Sequence, residues 1–391
     1  MDAHALELDV QPILDWLIDG AKPASDPNLA LRILCERLLE CGLRVHRVAV
    51  FVRPLHPNVA ARAFYWREGS AAIEVNDEAH GFESTDEALA SPIRVVYTTR
   101  QEIRARLTEP ATPMDFPVLE ELRADGFTDY LITPLEFMNG EVHVLSLATR
   151  GAGGFSDAEV AAIQRIRPAL TRVVEIFGLT GKASNILDAY LGRNAGAKVL
   201  QGHIQRGDAE NIHAVIWFCD LRDSTVLAES MEAQEYLSML NAYFECVLGP
   251  VMERGGEVLS FIGDAALVIF PVGQDPADAA TRAVDAARDA ISRMQVLNER
   301  RKEAGSVRLR FGIGLHLGDV LYGNVGTPTR IAFTVVGSAA NEAARIEALC
   351  KTLDASPLVS EQIANCAPFE WRSLGRHQLR GVGKPIELFT L

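Results

Sequence analysis

Four residues stand where reactive chemistry would need them. The apolar run AVIWFCDL approaches its end at Asp220, and EVLSFIGDAALVIFPV is split at Gly263-Asp264. One carboxylate therefore ends a buried strand, and the other occupies the turn between two further strands. Both should face the same end of a sheet, where paired carboxylates hold a hard cation such as Mg²⁺ and leave its other positions to phosphate oxygens and water. Further on, Asn341 and Arg345 are four apart in a helical pattern, so an amide and a guanidinium share one helix face. Taken singly, each residue reads as ordinary: a turn residue or cap for the aspartates, a surface amide, a surface ion pair. Their weight comes from the segments that carry them.

The elements that must position them follow from periodicity. After His213 comes the apolar strand, then a helical pattern through Leu227, Met231, Tyr236, Leu240 and Phe244, then two strands joined at Gly263-Asp264. A long Ala-rich helix is expected over Ala277 to Glu303, followed by the strand LRFGIGLHLGDVLYG and a helix from about Ser338. Strand, helix, hairpin, helix, strand is the order of a ferredoxin-like α+β sheet.

The run RIAFTVVGSAANEAARIE, Arg330 to Glu347, resembles the segment of class III nucleotidyl cyclases in which a strand and turn lead into a helix bearing an Asn and, four residues later, an Arg. FCDLRDST and FIGDA resemble the two metal-binding segments of that family, and RFGIGLHLGDVLYGNVG resembles its central strand and turn. Four segments in family order over residues 211–391 make the resemblance specific where any one alone would be weak. It implies an adenylate cyclase that converts ATP to 3′,5′-cyclic AMP and pyrophosphate. Two divalent cations, Mg²⁺ or Mn²⁺, would activate the ribose 3′-hydroxyl and steady the triphosphate while the 3′-oxygen attacks the α-phosphorus in line. Asp220 and Asp264 would hold the metals, with the backbone carbonyl of Leu221 completing one shell. Asn341 would orient the ribose, and Arg345 would stabilise charge on the α-phosphate.

The same resemblance implies that the amides of Arg222, Asp223, Ser224 and Thr225 cradle phosphates. LRGVGKPIELFTL resembles the family's final hairpin, whose basic phosphate-binding residue falls on Arg380; an ordinary exposed Arg is an equal alternative. In the family the metal carboxylates and the Asn/Arg pair sit on opposite sides of a subunit interface. This chain carries all of them, which implies a homodimer with two equivalent sites, Asp220 and Asp264 of one subunit facing Thr334, Asn341 and Arg345 of the other.

Base choice in the family depends on two positions that fall here on Ser260 and Thr334. Thr334 favours adenine, since its hydroxyl accepts from an exocyclic amine; Ser260 is shorter than the Lys usual in adenylate-forming members and carries no charge. A second departure is Asp223-Ser224 in place of the more frequent Gly-Phe, which adds a carboxylate beside the triphosphate, either to repel it or to bind a metal. The competing readings are a guanylate cyclase and a degenerate nucleotide-binding signalling module; retention of Asp220, Asp264, Asn341 and Arg345 argues against the latter.

The amino-terminal half reads differently. Leu31, Leu34, Leu38 and Leu39 recur at helical spacing, HRVAVFV reads as a buried strand, and Asn139-Gly140 between two strand-forming runs predicts a tight hairpin. Ser156 and Glu159 have capping-box spacing ahead of a helix carrying Val160, Ile163, Ile166, Leu170 and Val174. This order over residues 25–177 resembles the GAF family of small-molecule sensor domains. It implies a GAF-like regulatory domain over 1–178, either sensing a small molecule or acting as a dimerisation scaffold. Residues 179–210 read as a helical connector that either transmits or tethers, and 211–391 as the catalytic domain.

The chain of 391 residues is too long for one core at roughly 150 residues per domain. A formal charge of −14 and a pI near 5.2 argue against nucleic acid or an anionic membrane as partner. No apolar run is long enough to span a bilayer, and MDAHALELDV lacks the order of a signal peptide, so a cytoplasmic protein is expected. The six cysteines show no metal or disulfide spacing and are expected to be mostly small buried hydrophobes.

Overall fold

A computed structural model describes residues 8–109 and 112–391, so the run MDAHALE lies outside the described residues. The chain divides into two compact units, residues 1–189 and 190–391.

The first unit contains α1 (Gln11–Ile18), α2 (Pro27–Glu40), β1 (Arg47–Val52), β2 (Ala61–Arg67), β3 (Glu74–Glu78), α3 (Asp86–Leu89) and α4 (Pro92–Thr99). It continues with β4 (Ile103–Arg106), α5 (Pro117–Ala124), β5 (Asp129–Glu136), β6 (Val142–Thr149) and α6 (Asp157–Leu191). The strands pair antiparallel in the order β3-β2-β1-β6-β5-β4. Alternation gives the sheet two faces. Val48, Val50, Leu145 and Leu147 pack with the apolar sides of α1, α2 and α6, while Tyr130, Ile132 and Val144 pack with α4 and α5.

The expected α2 forms where Asp26 caps the amides of Asn28 and Leu29 ahead of Pro27. The capping box also forms: Ser156 N–H donates to Glu159 Oε2 at 2.7 Å and Glu159 N–H to Ser156 Oγ at 3.2 Å. The hairpin at Asn139-Gly140 is looser than a two-residue turn. Phe137 N–H still donates to the Glu141 carbonyl, and Gly140 at φ +83° supplies the left-handed step of a three-residue loop. α6 runs unbroken for 35 residues, so the helix expected to close the first segment continues past residue 178.

The second unit contains α7 (Arg193–Leu200), β7 (Ala209–Leu221), α8 (Ser224–Ser230), α9 (Ala233–Glu253), β8 (Glu257–Ile262), β9 (Ala265–Pro271), α10 (Pro276–Glu303) and β10 (Phe311–Thr327). It ends with β11 (Arg330–Val336), α11 (Ser338–Leu353), β12 (Leu358–Ser360), α12 (Glu361–Cys366), β13 (Arg372–His377) and β14 (Ile386–Thr390). The sheet order is β13-β14-β12-β10-β7-β9-β8, with β11 paired to the far part of β10. It is an α+β architecture, as expected. The helical pattern from Leu227 to Phe244 is two helices, because the chain is extended at Met231 and Glu232.

One sheet face, with Val215, Trp217, Val268, Phe270 and Leu315, packs on α9 and on the alanines of α10, whose small side chains allow close approach. On the other face Ala214, Ile216, Leu267 and Val320 pack on Ala339 and Ala343 of α11. All six cysteines are free, and Cys35, Cys219 and Cys350 are buried. No helix among the described residues is long and apolar enough to cross a membrane.

Candidate functional site

The ladder between β7 and β9 ends at Asp220↔Ala265, and the ladder between β8 and β9 ends at Ile262↔Ala265. Gly263, at φ +65°, takes the first position of the intervening two-residue turn, where strand twist requires a positive φ. Asp264 is thereby set against the end of β7. The Asp220 carboxyl is pushed up to about 6, first by burial and then by the carboxylate of Asp264, against the opposing pull of Arg222 and the Leu221 amide. Two like charges share a corner that no local cation neutralises fully.

Backbone alternation supplies a third oxygen. Arg222 N–H donates to the Arg310 carbonyl at 2.8 Å, so even-numbered residues at this end of β7 turn their polar groups toward β10. The Leu221 carbonyl then points to the β9 side, one residue beyond the last rung of that ladder. Two carboxylates and a carbonyl are hard oxygen donors suited to Mg²⁺ or Mn²⁺, with open positions left for ligand oxygens. Among the described residues no cluster of three or more His, Cys, Asp or Glu side chains forms a closed metal cage.

The expected phosphate cradle needs correction at Arg222. Its amide is engaged by Arg310, and its guanidinium turns inward, Nη2 lying 2.8 Å from Glu347 Oε1 and donating to the Glu347 carbonyl at 3.1 Å. Neither group is free for a phosphate. Asp223 adopts φ 59°, ψ 26° and pairs with Arg310 at 2.6 Å and Lys351 at 3.6 Å. The Arg310 hydrogen bond holds its carboxyl below the usual carboxylate range, so the expected repulsion is offset by two local cations. Ser224 and Thr225 open α8, where first-turn amides have no intrahelical acceptor.

Asn341 and Arg345 lie on the side of α11 away from the sheet, which is met instead by Ala339, Ala343, Ile346, Glu347 and Cys350. They share a face as the spacing predicts. Within one chain they are not brought to the carboxylate corner, where the cation acting on Asp220 is Arg222. Among the described residues no carboxylate pairs with Arg345 or with the exposed Arg380. The Arg345 guanidinium lies beside Gly381, where a Cβ would come within 3.4 Å of Nη1.

Thr334 pairs with Gly323 on the β10–β11 arm, on the face shared by Leu321, Val325 and Val336. Those three apolar residues are 52%, 45% and 47% exposed, while Phe333 and Val335 on the opposite face are buried. Ser260 is half-buried on β8, just after the bulge at Leu259.

Sequence reasoning missed Glu347. It is 4% exposed, and its carboxyl is pushed up to about 7 by burial, with Arg222 opposing and Asp220 and Asp264 adding to the rise. Two signals could have found it. It lies on the apolar stripe of α11, where a carboxylate demands a partner, and the alternate glycines of RFGIG mark a close approach. A Cβ on Gly312 would overlap Glu347 Oε1 and Arg222 Nη2, and one on Gly314 would overlap the backbone of Glu347 and Ala343.

Residues 208–391 match the family described as adenylate and guanylate cyclase catalytic domain. An adenylate cyclase of Anabaena cylindrica is 35% identical over 164 residues, covering 41% of this chain and 32% of that protein. An uncharacterized protein of Mycobacterium tuberculosis is 33% identical over 217 residues, 53% of this chain and 37% of that one. The chain spans between about a third and two-fifths of these curated relatives' length. Among solved structures, the adenylyl cyclase CyaB of P. aeruginosa aligns with TM-score 0.42 and 24% identity over 46% of this chain and 94% of that one. The guanylyl cyclase Cya2 aligns with TM-score 0.41 and 27% identity over 46% and 92%. Residues 208–391 thus carry the match to the adenylate and guanylate cyclase catalytic domain, and the cyclase resemblance read from the sequence is shown over that segment.

Proposed function

We propose that the chain is an adenylate cyclase that works as a homodimer, forming cyclic AMP and pyrophosphate from ATP at two shared sites. The observation that carries the reading is the division of labour within one chain. Asp220, Leu221 and Asp264 converge on one corner, whereas Asn341 and Arg345 look outward from α11, and among the described residues Arg345 forms no ion pair. Thr334 lies on an arm face whose apolar residues are exposed, which suits burial against a second copy.

In such a site Asp220, Asp264 and the Leu221 carbonyl hold the divalent cations, which when bound lower the charge on the triphosphate and the pKa of the 3′-hydroxyl. The chain does the rest. Asn341 fixes the ribose, so that its 3′-oxygen lies in line with the α-phosphorus. Arg345 neutralises charge that grows on the α-phosphate oxygens, Arg380 and the first amides of α8 hold the departing pyrophosphate, and Thr334 with Ser260 reads the base.

We assign regulation to the first unit, read as GAF-like. A cavity of about 540 Å³ opens on its sheet, large enough for a small organic molecule. Arg47 Nε is buried in its lining without a hydrogen-bond partner among the described residues, and the buried Tyr97 phenol has only the Arg53 guanidinium over its ring, 4.3 Å from the centroid. Burial pushes the Tyr97 phenol up to about 12, so it stays a neutral donor.

Turnover of the purified chain with ATP and with GTP, each with Mg²⁺ or Mn²⁺ and with the cyclic products separated by chromatography, tests the reading. Cyclic AMP is expected. Cyclic GMP as the main product would reverse the reading of Thr334, and no cyclic product from either nucleotide would favour a binding module.

A further inference from the structure

In a dimer with shared sites, each chain gives its carboxylates to one site and its α11 face to the other. Those two contributions are joined inside the chain. Arg222 follows Asp220 and Leu221 directly, and its guanidinium crosses Gly312 to reach both the side chain and the carbonyl of Glu347 on α11. Glu347 is two residues from Arg345, on the opposite side of the same helix turn. The bridge has little freedom: the two side chains are 14% and 5% exposed, and the bare glycines of β10 let α11 lie directly against the strand.

We infer that Arg222 and Glu347 are positioning residues that couple the two active sites, transmitting the placement of Asp220 and Leu221 in one site to Asn341 and Arg345 in the other. The inference rests on the shared-site homodimer proposed above. A side chain that merely supported the metal corner would act only on the site its own chain supplies with metal. A bridge must also act on the other site, because a rotation or slide of α11 moves the Arg345 guanidinium relative to the α-phosphate.

A mixed dimer separates these cases. Full chains carrying Asp264→Asn and Arg345→Ala are each expected to be inactive alone. Mixed, they leave one intact site, with carboxylates from the Arg345→Ala chain and α11 from the Asp264→Asn chain. Arg222→Gln is then added to the Asp264→Asn chain, whose own carboxylates serve only the dead site.

The bridge predicts that kcat of the surviving site falls about ten-fold or more with little change in the KM for ATP, and that Arg222→Lys in the same chain recovers most of the loss. Turnover equal to that of the parent mixed pair would overturn the coupling. Glu347→Gln, nearly isosteric, placed in the Arg345→Ala chain should weaken the surviving site's apparent Mg²⁺ affinity, and it decides the matter if Arg222→Gln fails to assemble by size-exclusion chromatography. No activity in the parent mixed pair would instead sink the shared-site reading, and this inference with it.

Discussion

In the first unit the fully buried Asp129 is met by the Arg104 guanidinium at 2.8 Å and by Phe155 N–H at 3.0 Å; in the second, Asp220 is met by another carboxylate. The contrast recurs. Burial alone would raise the Glu159 carboxyl, but bonds from Arg44 and Ser156 outweigh it and hold the group at about 2. Arg345 and Arg380, by contrast, form no ion pair among the described residues, and Arg345 feels only the more distant charge of Glu342. Charge satisfied within its own unit fixes architecture. Charge left unsatisfied costs stability and persists where something from outside the chain completes it.

Exchanging one aspartate in each unit puts the contrast to its hardest test. Asp264→Asn should lower cyclase turnover by about a hundred-fold or more, while the metal-free protein keeps or slightly raises its Tm because a repulsion is relieved. Asp129→Asn should do the reverse. Leaving the half-buried Arg104 guanidinium against a neutral amide should cost the first unit about 1–3 kcal/mol, read as a lower denaturant midpoint. Equal destabilisation by the two variants would break the comparison.

How much of this was legible in the sequence differs between the units for the same reason. Asp220, Asp264, Asn341 and Arg345 owe their places to local rules: a strand end, a two-residue turn, a helical repeat. Linear spacing therefore predicts where each sits on its element, while the roles given to them come from the family resemblance of the segments around them. The cavity in the first unit depends on which residues of β1, β2 and β6 share a face across the sheet, and pairing such as Ala49↔Tyr65 or Ala49↔Ser146 is fixed by tertiary register. Arg222 shows the limit within the legible unit. Its motif suggested a phosphate contact, but the open space over Gly312 draws it to Glu347, a residue 125 positions away. The five-residue span between β5 and β6 failed for a smaller reason, since Asn-Gly suits both a two-residue turn and the left-handed end of a longer loop.

A buried histidine extends the contrast to pH. His143 Nδ1 accepts from Arg53 N–H at 3.2 Å, and burial pushes the imidazole down to about 4, although Glu141 pulls the other way. The unfolded chain takes up the proton below its ordinary 6.5, whereas the folded unit resists it. Stability from the neutral ring is therefore whole above pH 6.5 and is lost as pH falls toward 4. Protection factors of β1 and β6 amides, corrected for the intrinsic exchange rate at each pH, should fall over that window, and His143→Gln should flatten the response. An unchanged slope in the variant would show that the first unit's pH response comes from elsewhere.

The smallest effect is expected at Asp223, where the two kinds of charge meet. Its carboxylate lies on the catalytic unit near the metal corner yet is satisfied locally by Arg310 and Lys351. By the rule above it is architectural, and weakly so, since exposed pairs contribute little. Its backbone, however, sits in the left-handed region that a glycine occupies without strain. Asp223→Gly should therefore raise Tm slightly and leave kcat within about two-fold of the parent, because surface substitutions outside a special contact rarely move either far. A loss beyond ten-fold would mean that the carboxylate reaches the metal or the triphosphate during turnover, and would move Asp223 from the satisfied class to the functional one.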